Sequence, residues 1–229
     1  MQKVAVMTDT VSYMPEQVAK ENGITLIPTH VIFNGKSHFE DKIDLAWFYR
    51  QLPGWKENDQ LPTTSSQQSE GIVYIAYSTK LGMAVSASSQ AKTLIKDELL
   101  QTQIEVIDSQ TACGTQMLVT LEAARAAAPG KSFSEVVEVT RNMIKRVNFI
   151  AIMDDLYYLA KGGRIHRARP WAASKITNSV LLRMDAATGG EMSPLARCRT
   201  KGEVLKTLFD VVTKRSGDRK LHMAINHAD

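Results

Sequence analysis

Short apolar segments, each followed by a polar loop and then by a helical pattern, most constrain the fold of this chain of 229 residues. Residues 3–7, 71–78 and 104–108 are rich in Val and Ile and have the length of buried strands. Helical patterns follow the last two of them, at 84–100 and after Ser109. This repetition predicts a parallel α/β sheet with helices on both faces.

The other elements are predicted from turn, cap and periodicity signals. Pro15 begins a short helix that ends at Gly23, and the helix after Ser109 ends at Ala128. Ser132 and Glu135 have the spacing of a capping box at the start of the next helix. The remaining predictions are β structure at 24–33 with a turn at Asn34-Gly35, a helix capped by Asp44, and a loop at 53–70.

The character of the chain changes near Asn148. A strand is predicted at 149–153, a hairpin at Gly189-Gly190, a helix at 200–214 and a last strand at 221–225. We therefore predict two domains, an N-terminal three-layer parallel-sheet domain and a smaller two-layer α/β domain. Their predicted bounds are 1–147 and 148–229, and the second is expected to be incomplete at its C-terminus.

Composition excludes several classes of protein. Apolar residues make up 44% of the chain and charged residues 23%, which argues against intrinsic disorder. The apolar runs are shorter than a membrane span, and the N-terminus lacks the apolar region of a signal peptide. Cys113 and Cys198 are expected to stay reduced, so we expect a cytoplasmic protein without a disulfide framework. The net charge of +4 is too small to indicate nucleic-acid binding by itself.

Motifs for catalysis and metal binding are incomplete. The Gly-Lys-Ser triplets at 35–37 and 130–132 have His30 and Arg125 where a phosphate-binding loop needs its first glycine. Asp9 lies in a loop like that of aspartate-based phosphatases but lacks the second aspartate. The five histidines lack the spacing of metal ligands, and we expect no cofactor and no metal.

Polar loops at the ends of predicted strands remain unexplained by these motifs. They are Thr8-Asp9-Thr10, Pro62 to Ser66, Ser78 to Gly82, Asp108-Ser109 and Lys161 to Arg164. The carboxyl ends of parallel strands form the crevice where ligands bind. Hydroxyls, backbone N–H groups and an arginine suit an anion such as a carboxylate, although turns alone explain any single loop about equally well.

At these residues the chain resembles the DegV family of bacterial lipid-binding proteins. The matching segments include AVMTDTVSYMP, LPTTSS, IEVIDSQTACGTQ and DDLYYLAKGGRI, and the resemblance extends from about residue 3 to about residue 228. It implies a two-domain α/β fold that binds one long-chain fatty acid, palmitate- or oleate-like, between the domains. It also implies that a separate fatty-acid kinase phosphorylates the carboxylate of the bound acid.

Carried over by motif, the carboxylate would lie near Thr64 and Ser65, with Arg164 nearby. Gly82 stands where the family has a serine, since Leu81-Gly82-Met83-Ala84 replaces Leu-Ser-Gly-Thr, and its backbone N–H is the expected substitute. The residues predicted to support this site are Asp9, Thr79 and Asp108, with Asp9 bracing the Thr-Ser loop.

Three functions remain open at the level of sequence. The first is a non-enzymatic fatty-acid carrier with no nucleic-acid partner and at most transient membrane contact. The second is a hydrolase or phosphotransferase that uses Asp9 or a loop serine. The third is a nucleic-acid or regulatory binder that uses the arginines at 164, 167, 169, 197 and 199.

Overall fold

The structure is a computed structural model of the chain, and it describes residues 4–33, 36–39, 71–94, 102–165 and 179–227. Its strands are β1 (Val4–Asp9), β2 (Ile24–Ile27), β3 (His30–Phe33), β4 (Lys36–Phe39), β5 (Gly71–Ala76), β6 (Gln103–Asp108), β7 (Phe149–Met153), β8 (Ser179–Met184) and β9 (Ser193–Cys198). Its α-helices are α1 (Glu16–Glu21), α2 (Ala84–Leu94), α3 (Cys113–Ala127), α4 (Phe133–Ile144), α5 (Tyr157–Lys161) and α6 (Lys201–Ser216).

The first sheet is parallel and has the strand order β2-β1-β5-β6. Its central strands, β1 and β5, are buried on both faces because helices cover both. Val73 and Ile75 of β5 pack into the core beneath α3 and α4, while Ile72 and Tyr74 pack on the opposite face beside α2. The predicted three-layer parallel α/β architecture is confirmed.

The helices of this sheet begin and end close to the predicted residues. Ser132 caps α4, and its hydroxyl accepts a hydrogen bond from the backbone N–H of Glu135 while the Glu135 carboxylate accepts from the N–H of Ser132. The predicted capping box is therefore confirmed. The β structure predicted before Asn34-Gly35 is also confirmed, since β3 pairs with β4 in an antiparallel ladder.

The second sheet is antiparallel and has the order β7-β8-β9. A loop with Gly189 and Gly190 at φ +63° and +74° joins β8 to β9, which confirms the predicted hairpin. Val204 of α6 packs on Leu181, so α6 covers one face of this sheet. Val147 packs in the first core and Phe149 in the core of the second sheet, and the boundary between residues 147 and 148 stays a prediction.

The prediction of a last strand at 221–225 is wrong. This segment has no strand conformation, and Leu221, Met223 and Ile225 are exposed. After α6 the chain leads to α3, where the side-chain oxygen of Asn226 accepts a hydrogen bond of 2.8 Å from the N–H of Gly114. Alternating apolar residues form a strand only where a sheet edge pairs with them, and here none of the described strands does.

Several predictions fall wholly or partly outside the described residues. These are the helix capped by Asp44, the loop at 53–70 and the last part of the helix predicted at 84–100, of which α2 is the described part. Within the described ranges, no helix combines the length and hydropathy needed to cross a bilayer.

Candidate functional site

The candidate site lies at the carboxyl ends of the parallel strands. In the sheet, β2 lies on one side of β1 and β5 lies on the other. The chain leaving β1 therefore turns towards one edge of the sheet, and the chain leaving β5 turns towards the opposite edge, where β6 lies. Such a switch point leaves a crevice that ligands occupy in open α/β sheets. Asp9 ends β1, Tyr77 and Ser78 follow β5, and Asp108 ends β6.

Asp9 is fully buried at the end of β1. One of its carboxylate oxygens accepts hydrogen bonds from the Tyr74 hydroxyl at 3.0 Å and the Tyr77 N–H at 3.3 Å. The other accepts from the Gln116 amide at 3.1 Å. Burial raises the pKa of Asp9 from 3.8 to about 6, and these hydrogen bonds oppose the rise. Asp9 thus ties β1, β5 and α3 together; its predicted contact with the Thr-Ser loop lies outside the described residues.

Gln116 and Tyr74 are hydrogen-bond partners of Asp9 that the sequence analysis did not single out. The Gln116 amide nitrogen also lies 3.0 Å from the Thr8 hydroxyl and 3.2 Å from the Ile75 carbonyl oxygen, and the Thr8 hydroxyl donates to that same carbonyl. The available signal was the position of Gln116 on the apolar side of α3, one turn before Val119. A polar residue buried on such a face needs polar partners.

Asp108 holds the loop that follows β5. Its carboxylate accepts from the Thr79 hydroxyl at 2.7 Å and from the Gln110 N–H at 2.8 Å. The Ser78 N–H donates to the Thr111 carbonyl oxygen at 2.8 Å, which joins the loops after β5 and β6. The structure therefore brings Thr79 and Asp108 into direct contact, and their service to a ligand stays a prediction.

Arg164 lies between β7 and β8 of the antiparallel sheet and contacts the loop that follows β5. The turn after α5 has Gly163 at φ +71°, a conformation that favours glycine, and Arg164 follows it. The Arg164 Nε donates to the Leu81 carbonyl oxygen at 3.2 Å, and the guanidinium also contacts the Gly162 carbonyl. Since Gly82 follows Leu81, the two predicted carboxylate contacts that the structure describes, Gly82 and Arg164, lie on adjoining segments.

An apolar cluster lies where the two parts of the chain meet, and we call it the junction cluster. Its members from the segments that follow β1, β5 and β6, including the first residue of α3, are Val11, Tyr77, Leu81, Ala112 and Cys113. Its members from the second part include Leu156, Leu159, Ile165, Val180, Leu182 and Met184. The face of the antiparallel sheet opposite α6 thus packs on the same loops that carry the candidate polar groups.

A buried hydrogen bond also joins the two parts at this junction. The Ser78 hydroxyl donates to the Gly190 carbonyl oxygen at 2.6 Å, across 112 residues of sequence. A Cβ atom on Gly190 would lie 2.5 Å from that hydroxyl oxygen. The hairpin after β8 can therefore approach the loop after β5 only because residue 190 lacks a side chain.

The remaining two predicted carboxylate contacts, Thr64 and Ser65, lie outside the described residues. Among the described residues, no group of three His, Cys, Asp or Glu side chains could hold a metal ion. Among the described residues, the Arg164 guanidinium, the segment around Gly82 and the hydrogen-bonded hydroxyl of Thr79 lie beside the junction cluster. That combination suits an amphipathic molecule with an anionic end.

The fold and the junction define an α/β protein whose candidate ligand site lies between the carboxyl ends of the parallel sheet and the antiparallel sheet β7-β8-β9. The family model described as "Uncharacterised protein, DegV family" matches residues 3–229. The chain therefore belongs to the DegV family, which confirms the resemblance seen in the motifs.

A curated relative carries the same family name, and solved structures share the fold. A DegV domain-containing protein of Clostridium perfringens is 29% identical over 236 residues, which cover 97% of this chain and 81% of that protein. The fatty-acid-binding DegV family protein of Thermus thermophilus has a TM-score of 0.78 at 18% identity, covering 95% of this chain and 79% of that one. A DegV family protein of Ruminococcus gnavus, solved with vaccenic acid, has a TM-score of 0.79 at 17% identity, covering 96% and 82%.

Proposed function

We propose that this protein binds one long-chain fatty acid, with the acyl chain along the junction cluster and the carboxylate beside Arg164 and Gly82. The observation that carries this proposal is the Arg164 hydrogen bond to Leu81, which holds a cation at the edge of an apolar cluster built from both parts of the chain. Thr64 and Ser65 are proposed to complete the carboxylate contacts. The fatty-acid-binding relatives from Thermus thermophilus and Ruminococcus gnavus support the same class of ligand.

The free energies are adequate for such a ligand. A sixteen-carbon acid has about 14 methylenes, each worth roughly 0.8 kcal/mol on burial, or about 11 kcal/mol in all. Association offsets several kcal/mol of this. A charged hydrogen bond adds about 1.5–3 kcal/mol. The acyl chain can therefore supply most of the affinity, while the polar groups orient the carboxylate.

We propose a carrier and not an enzyme. Asp9, the residue on which a phosphotransferase would depend, is fully buried and is engaged by Tyr74, Tyr77 and Gln116. Ser78 is also buried and donates to Gly190. Both side chains thus act as structural groups in the described arrangement, which favours ligand presentation over a covalent step on either residue.

The first experiment is a binding measurement on the delipidated protein. Palmitate and methyl palmitate are titrated against the wild type, Arg164→Met and Thr64→Ala. We expect each substitution to weaken the binding of palmitate by about tenfold or more, because one charged hydrogen bond is lost. The affinity for methyl palmitate should change little. Arg125→Met is the matched control, because Arg125 lies on α3 with its side chain 55% exposed.

A wild type that binds neither palmitate nor oleate would contradict the proposed function. Equal losses for acid and ester in Arg164→Met would contradict the carboxylate assignment alone.

We propose, from the family resemblance, that a separate fatty-acid kinase is the partner. The bound acid would be presented with its carboxylate accessible at the edge of the junction. Incubation of the loaded protein with such a kinase and ATP should yield an acyl phosphate, and the yield should fall in Arg164→Met. Phosphorylation of free acid at the same rate without this protein would contradict the carrier role.

A further inference from the structure

The Tyr77 hydroxyl occupies the space of a side chain at residue 82. A Cβ atom on Gly82 would lie 2.7 Å from the Tyr77 hydroxyl oxygen, 3.0 Å from Cε2 and 3.2 Å from Cζ. Gly82 does not have a positive φ, so its backbone conformation does not require glycine. The absence of a side chain at residue 82 instead accommodates the end of the Tyr77 ring.

The rest of Tyr77 is held firmly. Its N–H donates to the buried Asp9 carboxylate, and the next residue, Ser78, is bonded to Thr111 and Gly190. The ring is half-buried and packs on the junction cluster and on the core beside α2. A tyrosine ring packed in this way presents a hydroxyl at one defined point, at little cost in conformational entropy.

That point lies beside the proposed carboxylate site. Gly82 is preceded by Leu81, whose carbonyl oxygen accepts from the Arg164 Nε. A guanidinium has five N–H groups in a plane, and the two described contacts of Arg164 use two of them. A carboxylate beside Gly82 could accept from the remaining guanidinium N–H groups and from a phenol hydroxyl.

We propose that Tyr77 is a head-group-binding residue, whose hydroxyl donates a hydrogen bond to the ligand carboxylate, and that Gly82 makes room for it. This inference rests on the proposed function, because it names a further contact of the same ligand. Tyr77 then distinguishes an ionised acid from its ester or alcohol. It also links the head group to Asp9 through one residue, which contacts Asp9 with its backbone and the carboxylate with its side chain.

The test compares Tyr77→Phe with the wild type for palmitate and methyl palmitate. We expect Tyr77→Phe to weaken the binding of palmitate about tenfold, because only the hydroxyl is lost and the ring stays. The affinity for methyl palmitate should change less than twofold. Tyr13→Phe, at a side chain 56% exposed, is the matched control and should change neither. An unchanged ratio of acid to ester affinity in Tyr77→Phe would overturn the inference.

A paired substitution tests the steric relation between the two residues. Gly82→Ser alone should weaken palmitate, since the new Cβ displaces the Tyr77 ring. Tyr77→Leu removes the ring, and adding Gly82→Ser to it supplies a hydroxyl close to the lost one. We expect this double variant to bind palmitate several-fold more tightly than Tyr77→Leu, and no gain would contradict the inference. If the wild type bound no acyl ligand, that result would contradict the proposed function itself.

Discussion

At the scale of single residues, Asp9 is a fully buried carboxyl whose described partners are all neutral donors. Burial disfavours the charged form of Asp9 more than the hydrogen bonds from Gln116, Tyr74 and the backbone of Tyr77 and Val11 favour it, so the pKa rises to about 6. A proton is therefore bound more tightly in the folded state than in the unfolded chain. Desolvation by burial likewise raises the pKa of Tyr74, and the adjacent Asp9 raises it further.

The raised pKa predicts that stability falls as the pH rises from about 4 to about 6. The contribution is fully present below the unfolded pKa of 3.8 and is lost as the pH passes the folded pKa of about 6. Two pKa units correspond to about 3 kcal/mol in the free energy of unfolding. Asp9→Asn should remove this dependence, as measured by urea unfolding at pH 4, 5, 6 and 7.

The control for this experiment is Asp210→Asn, at an exposed position on α6. It should keep the pH dependence of the wild type. If Asp9→Asn also keeps that dependence, the Asp9 proton is not its source.

At the scale of elements, two adjacent glycines in the loop between β8 and β9 have similar backbones and different surroundings. Gly189 has φ +63° with nothing within 4 Å of a Cβ position, while Gly190 has φ +74° and faces Ser78 and Gln110. Alanine substitutions at the two positions therefore distinguish the free-energy cost of a left-handed backbone from the cost of a steric clash with Ser78 and Gln110.

We expect Gly189→Ala to lower the free energy of unfolding by about 1–2 kcal/mol, the cost of the left-handed conformation. Gly190→Ala should lower the free energy of unfolding by about 1–3 kcal/mol more than Gly189→Ala does. The reason is that its Cβ would lie 2.5 Å from the Ser78 hydroxyl oxygen and 3.0 Å from the Gln110 backbone. Urea unfolding of both variants measures the difference. Equal losses would show that the approach of the hairpin to Ser78 is looser than described.

At the scale of the whole molecule, the junction cluster is the feature that a bound acyl chain would affect most. It joins loops of the parallel sheet to the sheet β7-β8-β9 and to the segment around α5. The core between the parallel sheet and α4 is separate from it. A ligand at the junction should therefore stabilise segments that are distant in sequence and leave α4 unchanged.

Hydrogen–deuterium exchange with and without palmitate measures this effect. We expect slower exchange at 77–82 and at 156–165 together, because binding suppresses local opening on both sides of the junction. The amides of α4 (Phe133–Ile144) serve as the internal control. Protection of only one of the two segments would contradict a ligand held between them.

Much of the fold could be predicted because it depends on local patterns. Segments of four to six residues rich in Val and Ile form β1, β2, β5 and β6, and the spacing of Ser132 and Glu135 forms a cap within one helical turn. The last strand was predicted wrongly for the opposite reason, because a strand needs a partner that the segment 221–225 does not itself contain. Of the candidate site, the polar loops and Arg164 came from sequence, and Tyr74, Tyr77 and Gln116 did not.

The amino-acid sequence by itself determined the order of strands, polar loops and helices, and the family motifs at their ends. Only the tertiary structure decided that Gln116 binds Asp9 across 107 residues, that Ser78 binds Gly190 across 112, and that the Tyr77 hydroxyl takes the space beside Gly82. The physical reason is range. Strand and helix signals arise between residues a few positions apart, whereas these contacts depend on how the β2-β1-β5-β6 sheet and the β7-β8-β9 sheet pack on one another.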